Sequence, residues 1–324
     1  MSIVHSNQTF IKSFLKNQPI EDFVELPASG SERRNFIFKA NGQKYVLTEN
    51  ENVSENESFF YFSDVFSNLK LNTPKIFKIS EDKKSYIQEY LGEKTLSQLI
   101  SEKDSNVEYL VEKTLFKLID LQSKTQGKID FSRTFEYRAY NHIPILHDLF
   151  YFKFMFVDVL EISYNKQKLI EEFHEIVQLI ENISPKGLML RDFQSRNIMV
   201  NNEEVYFIDY QSAMQGPLMY DVISFLNQAK ANFSEVFKAK MLESYIQLHQ
   251  DINVQKQLRD SILPLRLMRN LQVLGAYGFR GLIQRKEHFI QSIPQGIENL
   301  QQTIQEWKEM ERFTELKTII EKLK

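Results

Sequence analysis

Between residues 190 and 211 the sequence sets three side chains in an order that phosphoryl-transfer chemistry can use. Leu190-Arg191-Asp192-Phe193-Gln194-Ser195-Arg196-Asn197 carries a carboxylate and, five residues on, an amide. Phe207-Ile208-Asp209-Tyr210-Gln211 adds a second carboxylate at the end of a short β-prone run. Moving a phosphoryl group to an alcohol needs one carboxylate to accept or orient the hydroxyl proton. It also needs an amide and a second carboxylate to hold magnesium against the phosphates. Asp192 suits the first role, Asn197 and Asp209 the second. Each alone is an ordinary turn residue; the ordered set carries the signal. A tight loop between a helix and a two-stranded ribbon would bring the three together.

The elements around them read as strands first and helices later. Phe36–Ala40 and Lys44–Thr48 are β-prone runs parted by Asn41-Gly42, a hairpin signal. Ser54–Leu69 has Phe59, Phe62, Phe66 and Leu69 at helical spacing. Pro74 closes it, and Lys75–Ile79 and Ser85–Glu89 read as two more strands. Tyr90–Glu93 breaks the pattern as a hinge. Val107–Gln122, Asn141–Tyr164 and Gln167–Ile183 are long amphipathic runs. A β-prone island, Asn197–Val200 and Val205–Ile208, interrupts them before helices resume near Tyr220. The expected fold is α+β in two lobes: residues 1–92 a small β-rich lobe, residues 93–324 a larger helical one.

Composition sets the outer limits. The 324 residues suffice for two or three domains or one bilobal enzyme. Lys plus Arg is 40 and Asp plus Glu 43, a near balance that argues against a nucleic-acid partner. The absence of cysteine excludes disulfides, thiol catalysis and cysteine-ligated metal. The six histidines are scattered, without the spacing of a helical zinc site. The greasiest stretch, Ile143–Ile162, is broken by His147, Asp148, Lys153 and Asp158, so a buried helix is expected there and no membrane span. No leader peptide is read after Met1, and a cytoplasmic setting is the expectation.

The 190–211 segment resembles the aminoglycoside phosphotransferase and choline kinase family, whose fold is protein-kinase-like. Its catalytic loop runs His-Gly-Asp-x-x-x-x-Asn and its metal strand ends in Ile-Asp. The resemblance implies ATP and Mg2+, with Asp192 as catalytic base and Asn197 and Asp209 as metal ligands. Gly216-Pro217-Leu218-Met219-Tyr220-Asp221 resembles a further family segment, in which Asp221 would brace the loop from beneath. Leu190 and Arg191 depart from the family's His and Gly. A Leu-Arg-Asp opening is similar to kinases that phosphorylate the anomeric hydroxyl of N-acetyl amino sugars in cell-wall recycling, as is Leu26–Arg34. Aminoglycosides or amino alcohols as acceptors, and a silent kinase-like regulatory module, are the alternatives.

On the same resemblance Ser29, Gly30, Ser31 and Arg33 would form the nucleotide loop, with Arg34 adding charge. Thr48 stands where a phosphate-pairing lysine is expected, leaving Lys44, Lys39 or a loop arginine to serve. Glu55 or Glu57 would partner that cation. Gln88 to Leu91 would offer backbone groups to adenine, which brings in Glu89 and Leu91. On the acceptor side stand Asp148, a costly carboxylate in an apolar helix, and Arg191. Arg259, Arg266, Arg269 and Arg280 fall near one helical face, where Arg266 and Arg269 would suit an anionic sugar acid. The expected partner is thus a small-molecule acceptor, a sugar.

Overall fold

The computed structural model describes residues 3–16, 18–27 and 33–324, with side chains from residue 9 onward. Helix α1 (Ile3–Phe14) precedes a five-stranded antiparallel sheet. Its strands are β1 (Asp22–Glu25), β2 (Arg34–Ala40), β3 (Gln43–Glu49), β4 (Ile76–Ile79) and β5 (Ser85–Glu89), in the order β1-β2-β3-β5-β4. The β2–β3 hairpin turns at Asn41-Gly42 with φ of 51° and 73°, the turn whose twist matches its strands. Phe36, Phe38 and Ala40 of β2 alternate into a small core with Ile11, Leu15, Leu47 and Ile87. Residues of the other parity, Arg33 and Asn35 among them, face the opposite side of the sheet.

Helix α2 (Val53–Asn68) starts at Asn52, whose side chain accepts the Glu55 N–H. Although β3 and β4 flank it in sequence, its Phe59, Phe62 and Phe66 join the large core of the helical half. The chain then crosses Tyr90–Glu93 into β6 (Lys94–Thr95), α3 (Leu96–Ser101), α4 (Val107–Thr125), α5 (His142–Phe152) and α6 (Lys166–Glu181). Four short strands follow, β7 (Lys186–Met189), β8 (Ile198–Asn201), β9 (Glu204–Phe207) and β10 (Met214–Pro217). Helices α7 (Met219–Leu226), α8 (Glu235–Gln247), α9 (Ile252–Tyr277), α10 (Glu287–Ile290), α11 (Ile293–Glu306) and α12 (Thr314–Lys322) complete the chain.

The pairing of the four short strands positions the chemistry. β7 pairs with β10 and β8 with β9. The loop at 190–197 runs from β7 to β8, and the loop at 208–213 runs from β9 to β10. Both loops therefore emerge from the same two ribbons. β6 adds to β8, so the crossing from the first half is stitched directly to the ribbon that carries Asn197. β1, β6, β7 and β10 each have four residues or fewer, too few for alternation to mark them in the sequence.

The expected single helix over 141–164 stops as α5 at Phe152 and widens into a π-helical turn, Lys153–Val157. The Asp158 N–H reaches the Lys153 carbonyl at 2.9 Å, and the Lys153 ammonium lies 2.8 Å from the Asp158 carboxylate. A second wide turn, Gly278–Ile283, nests against it. A Cβ at Gly278 would fall 2.0 Å from the Met155 carbonyl oxygen, so only glycine permits this approach. Among the described residues no helix is long and apolar enough to cross a membrane.

Gly92 controls the crossing between the halves. Its φ is 122°, and an added Cβ would meet the Val200 carbonyl oxygen at 3.0 Å. Gly92→Ala should lower the unfolding free energy by about 2 kcal/mol, strain and crowding together. Urea unfolding measures this, and an unchanged midpoint would refute the crowding at β8.

Candidate active site

The loop ahead of Asp192 is held from below by one carboxylate. Asp221, in the first turn of α7, is fully buried, and its two oxygens accept the backbone N–H groups of Leu190 (2.7 Å) and Arg191 (2.9 Å). Burial pushes this carboxyl up to about 7, against the opposing pull of those two N–H groups and of Arg269. Arg191 adopts a left-handed backbone, φ 68°. That conformation is costly for a side chain with a Cβ, and it accounts for glycine at this place in the family pattern. Phe193 wedges edge-on against Phe207 (4.9 Å between ring centroids) and packs beside Phe225. Ser195 bonds Gln228 through both its N–H and its hydroxyl.

With both loop ends fixed, Asp192, Asn197 and Asp209 converge. The Asn197 Nδ2 donates to the Asp192 carbonyl at 2.9 Å, and the Ile208 N–H donates to the Asn197 carbonyl at 3.0 Å. The amide and the Asp209 carboxylate thus stand on adjacent backbones. An amide oxygen with a carboxylate is a hard-oxygen donor set that fits magnesium, the remaining positions going to water and phosphate. Among the described residues no group of three or more His, Cys, Asp or Glu side chains could hold a metal ion. Arg196 Nη2 lies 2.8 Å from Asp192 Oδ2. Burial pushes Asp192 up, but the charges of Arg196 and Arg269 outweigh it and hold the carboxyl below its ordinary value.

Asp209 has a left-handed φ of 63° and is tied to α2 through its neighbours. Tyr210 stacks on Phe59 at 4.9 Å, meets Phe66 at 5.0 Å, and shares a 2.7 Å hydrogen bond with Ser63. Ser58 donates to the Gln211 carbonyl at 2.7 Å. Arg33 closes the link: its guanidinium bonds Glu55 on α2 and reaches Asp209 Oδ1 at 2.8 Å.

Ser29, Gly30 and Ser31 are outside the described residues. Lys44 is drawn to Glu93 (2.9 Å) and the face of Tyr90, away from Glu55. Glu57 pairs with Lys83 on the surface, and Glu55 pairs with Arg33. The Glu89 carboxylate accepts the Lys75 N–H, and Leu91 is buried at the crossing.

Asp148, expected to bind sugar hydroxyls, is a buried anchor: its oxygens are taken by Arg191 (3.0 Å) and the Tyr140 hydroxyl (2.9 Å). Arg191 itself is spent on that anchor. The four arginines expected on one face also part company. Arg259 pairs with Glu243, Arg266 with Glu306, and Arg280 lies over Phe289. Only Arg269 turns in, buried beneath Asp192 and Asp221, with its guanidinium on Gln272. Helix spacing gives angular position, but the partners on α8 and α11 decide where each side chain goes. Arg196 carries no expected role, although its place four residues after Asp192 in a tight turn is the signal that could have marked it.

Comparison with known proteins agrees with this geometry. The profile of the phosphotransferase enzyme family matches residues 24–254. Among solved structures, choline kinase LicA from Streptococcus pneumoniae superposes with a TM-score of 0.62 at 11% identity, covering 91% of this chain and 99% of that one. The gentamicin complex of APH(2")-IIa gives 0.61 at 17% identity, covering 93% and 96%. An ethanolamine kinase from Plasmodium vivax gives 0.58 at 16% identity, covering 87% and 82%. No curated protein matches the sequence. The fold is protein-kinase-like.

Asp221→Ala strands two buried N–H groups and should lower the unfolding free energy by about 3 kcal/mol, with Asp221→Asn losing roughly half of that. The native carboxyl sits above its ordinary 3.8, so the native state binds the proton more tightly than the unfolded chain. This group's contribution to stability therefore falls as pH rises from about 4 toward 7. The advantage of wild type over Asp221→Asn in urea unfolding should narrow between pH 5 and neutrality. A gap that widens would contradict this account.

Proposed function

We propose that this chain, which belongs to the phosphotransferase enzyme family, moves the γ-phosphoryl group of ATP to the anomeric hydroxyl of an N-acetyl amino sugar. The observation that carries the transfer is the convergence of Asp192, Asn197 and Asp209, with Asp192 held ionised. Asp192 accepts the proton of the acceptor hydroxyl as the oxygen attacks phosphorus. Arg196, 2.8 Å from it, brings a guanidinium to the place where phosphoryl charge is transferred. Magnesium, held by Asn197 and Asp209, would neutralise charge on the phosphates when bound. The backbone of Glu89 to Leu91 at the crossing would receive the adenine ring. The small and large lobes, divided near residue 92, would take nucleotide and acceptor respectively.

Charge supports the choice of acceptor. Arg196 and Arg269 both act on Asp192. A polycation meets repulsion there, whereas a neutral or anionic sugar does not. An amino alcohol is the second reading, favoured by the likeness to a choline kinase and an ethanolamine kinase. A cytoplasmic setting accords with ATP as donor.

The test is ADP release from ATP and magnesium with N-acetylglucosamine, N-acetylmuramate, choline, ethanolamine and gentamicin as acceptors. Release should depend on an N-acetyl amino sugar, and Asp192→Asn should cut kcat about a thousandfold. Release only with choline or ethanolamine would select the second reading. No acceptor-dependent release across a broad alcohol panel would point to a regulatory module. Because Asp192 is held below the ordinary carboxylate range, kcat/KM should stay level as pH falls from 7 to about 5. Arg196→Gln should move the acidic limb upward, and a limb that stays in place would remove Arg196 from the control of Asp192.

A further inference from the structure

The kinase reading leaves one part unassigned: the cation that would hold the nucleotide phosphates. The strand position where it is expected, Thr48 on β3, is closed to that task. The Thr48 hydroxyl donates to Asn35 Oδ1 at 2.8 Å and accepts from Gln88 Nε2 at 3.0 Å, and the residue is buried. The other basic residues nearby are occupied on outward faces. Lys39 pairs with Glu21, Lys44 with Glu93, and Arg34 with Glu25 and Glu49.

Arg33 differs from them in place and partners. Asn35 is the cross-strand partner of Thr48, and Arg33 lies two residues before Asn35. It is therefore the diagonal neighbour of Thr48, about 7–8 Å away between backbones and within reach of an arginine side chain. Its own side chain is mostly buried, between Glu55 of α2 and Asp209 of the β9–β10 loop. Glu55 is fixed in turn, since its second oxygen accepts from Asn50 Nδ2 at 2.8 Å. A guanidinium clamped by a helix carboxylate and in contact with a metal-binding carboxylate stands where nucleotide phosphates must pass.

We infer that Arg33 is the phosphate-binding cation of this enzyme, supplied from the start of β2 in place of a lysine on β3, with Glu55 as its positioning residue. This inference rests on the kinase reading above. Arginine brings a fork of donors where lysine brings a point charge. It can keep Glu55 with one edge while the edge now on Asp209 turns to phosphate. That exchange also leaves Asp209 able to take a metal ion.

Isothermal titration of the full chain with ATP and magnesium, and separately with adenosine, tests the inference without turnover. Arg33→Ala should weaken ATP binding about tenfold or more, as loss of a charge-assisted contact does. It should leave adenosine binding unchanged, which also shows that the variant is folded. Arg33→Lys, which keeps the charge and loses the fork, should give a smaller loss for ATP and none for adenosine. Wild-type affinity for ATP in Arg33→Ala would overturn the inference while the kinase reading stands. An equal loss of ATP and adenosine in both variants would overturn it too, making Arg33 a strut of the fold. Wild type binding neither ligand would remove the kinase reading, and the inference with it.

Discussion

The site depends on a single buried carboxylate. Asp221 holds two successive N–H groups of the strand end that delivers Asp192, and without it both donors would be buried unpaired. Those two bonds set the direction in which the chain leaves β7. They also hold Arg191 in a left-handed conformation that glycine would adopt freely. The arginine brings its own compensation, a guanidinium that reaches the buried Asp148. A carboxylate in that apolar helix would otherwise be costly, so Arg191 and Asp148 make each other tolerable. Arg191 and Asp148 thus form the floor of the loop.

A second constraint joins the halves. Helix α2 is flanked by strands of the sheet, yet its aromatic face packs into the large core, where Phe59 and Phe66 grip Tyr210. Any shift of α2 therefore carries the Asp209 loop with it. The Glu55–Arg33–Asp209 chain adds a charged link beside that stack. The small core under α1, which takes in Phe36, Phe38, Leu47 and Ile87, is separate from the large one. Movement of the sheet relative to the helical half would be borne by the crossing at Gly92, which is stitched to β8 by β6.

Charge around Asp192 follows from the same frame. Its neighbours act in opposition: burial alone would favour the protonated acid, and Arg196 and Arg269 reverse that preference. Arg196 comes from the loop itself, whereas Arg269 comes from the middle of α9, a helix that crosses beneath the loop at α7. The balance favours the carboxylate of Asp192 over its acid form.

Much of this was legible from the chain alone. Asp192, Asn197 and Asp209 were legible as a candidate set from their types and order, and the fold brings them together. The Asn-Gly hairpin, β5 and the start of α4 were legible because local backbone preference and periodicity are properties of neighbouring residues. The failures share a physical reason as well. β7 and β10 are too short to show a pattern, and they exist because they pair with each other across the loop they enclose. Helical spacing put four arginines on a common stripe, but the partners of three of them, the carboxylates of Glu243 and Glu306 and the ring of Phe289, lie on other elements. Thr48 and Arg33 are 15 residues apart in sequence, and only the pairing of β2 with β3 makes them neighbours. The sequence determined which groups could do the chemistry; the tertiary structure decided which charges meet them, because ion pairs form between residues that only folding brings within a few ångströms.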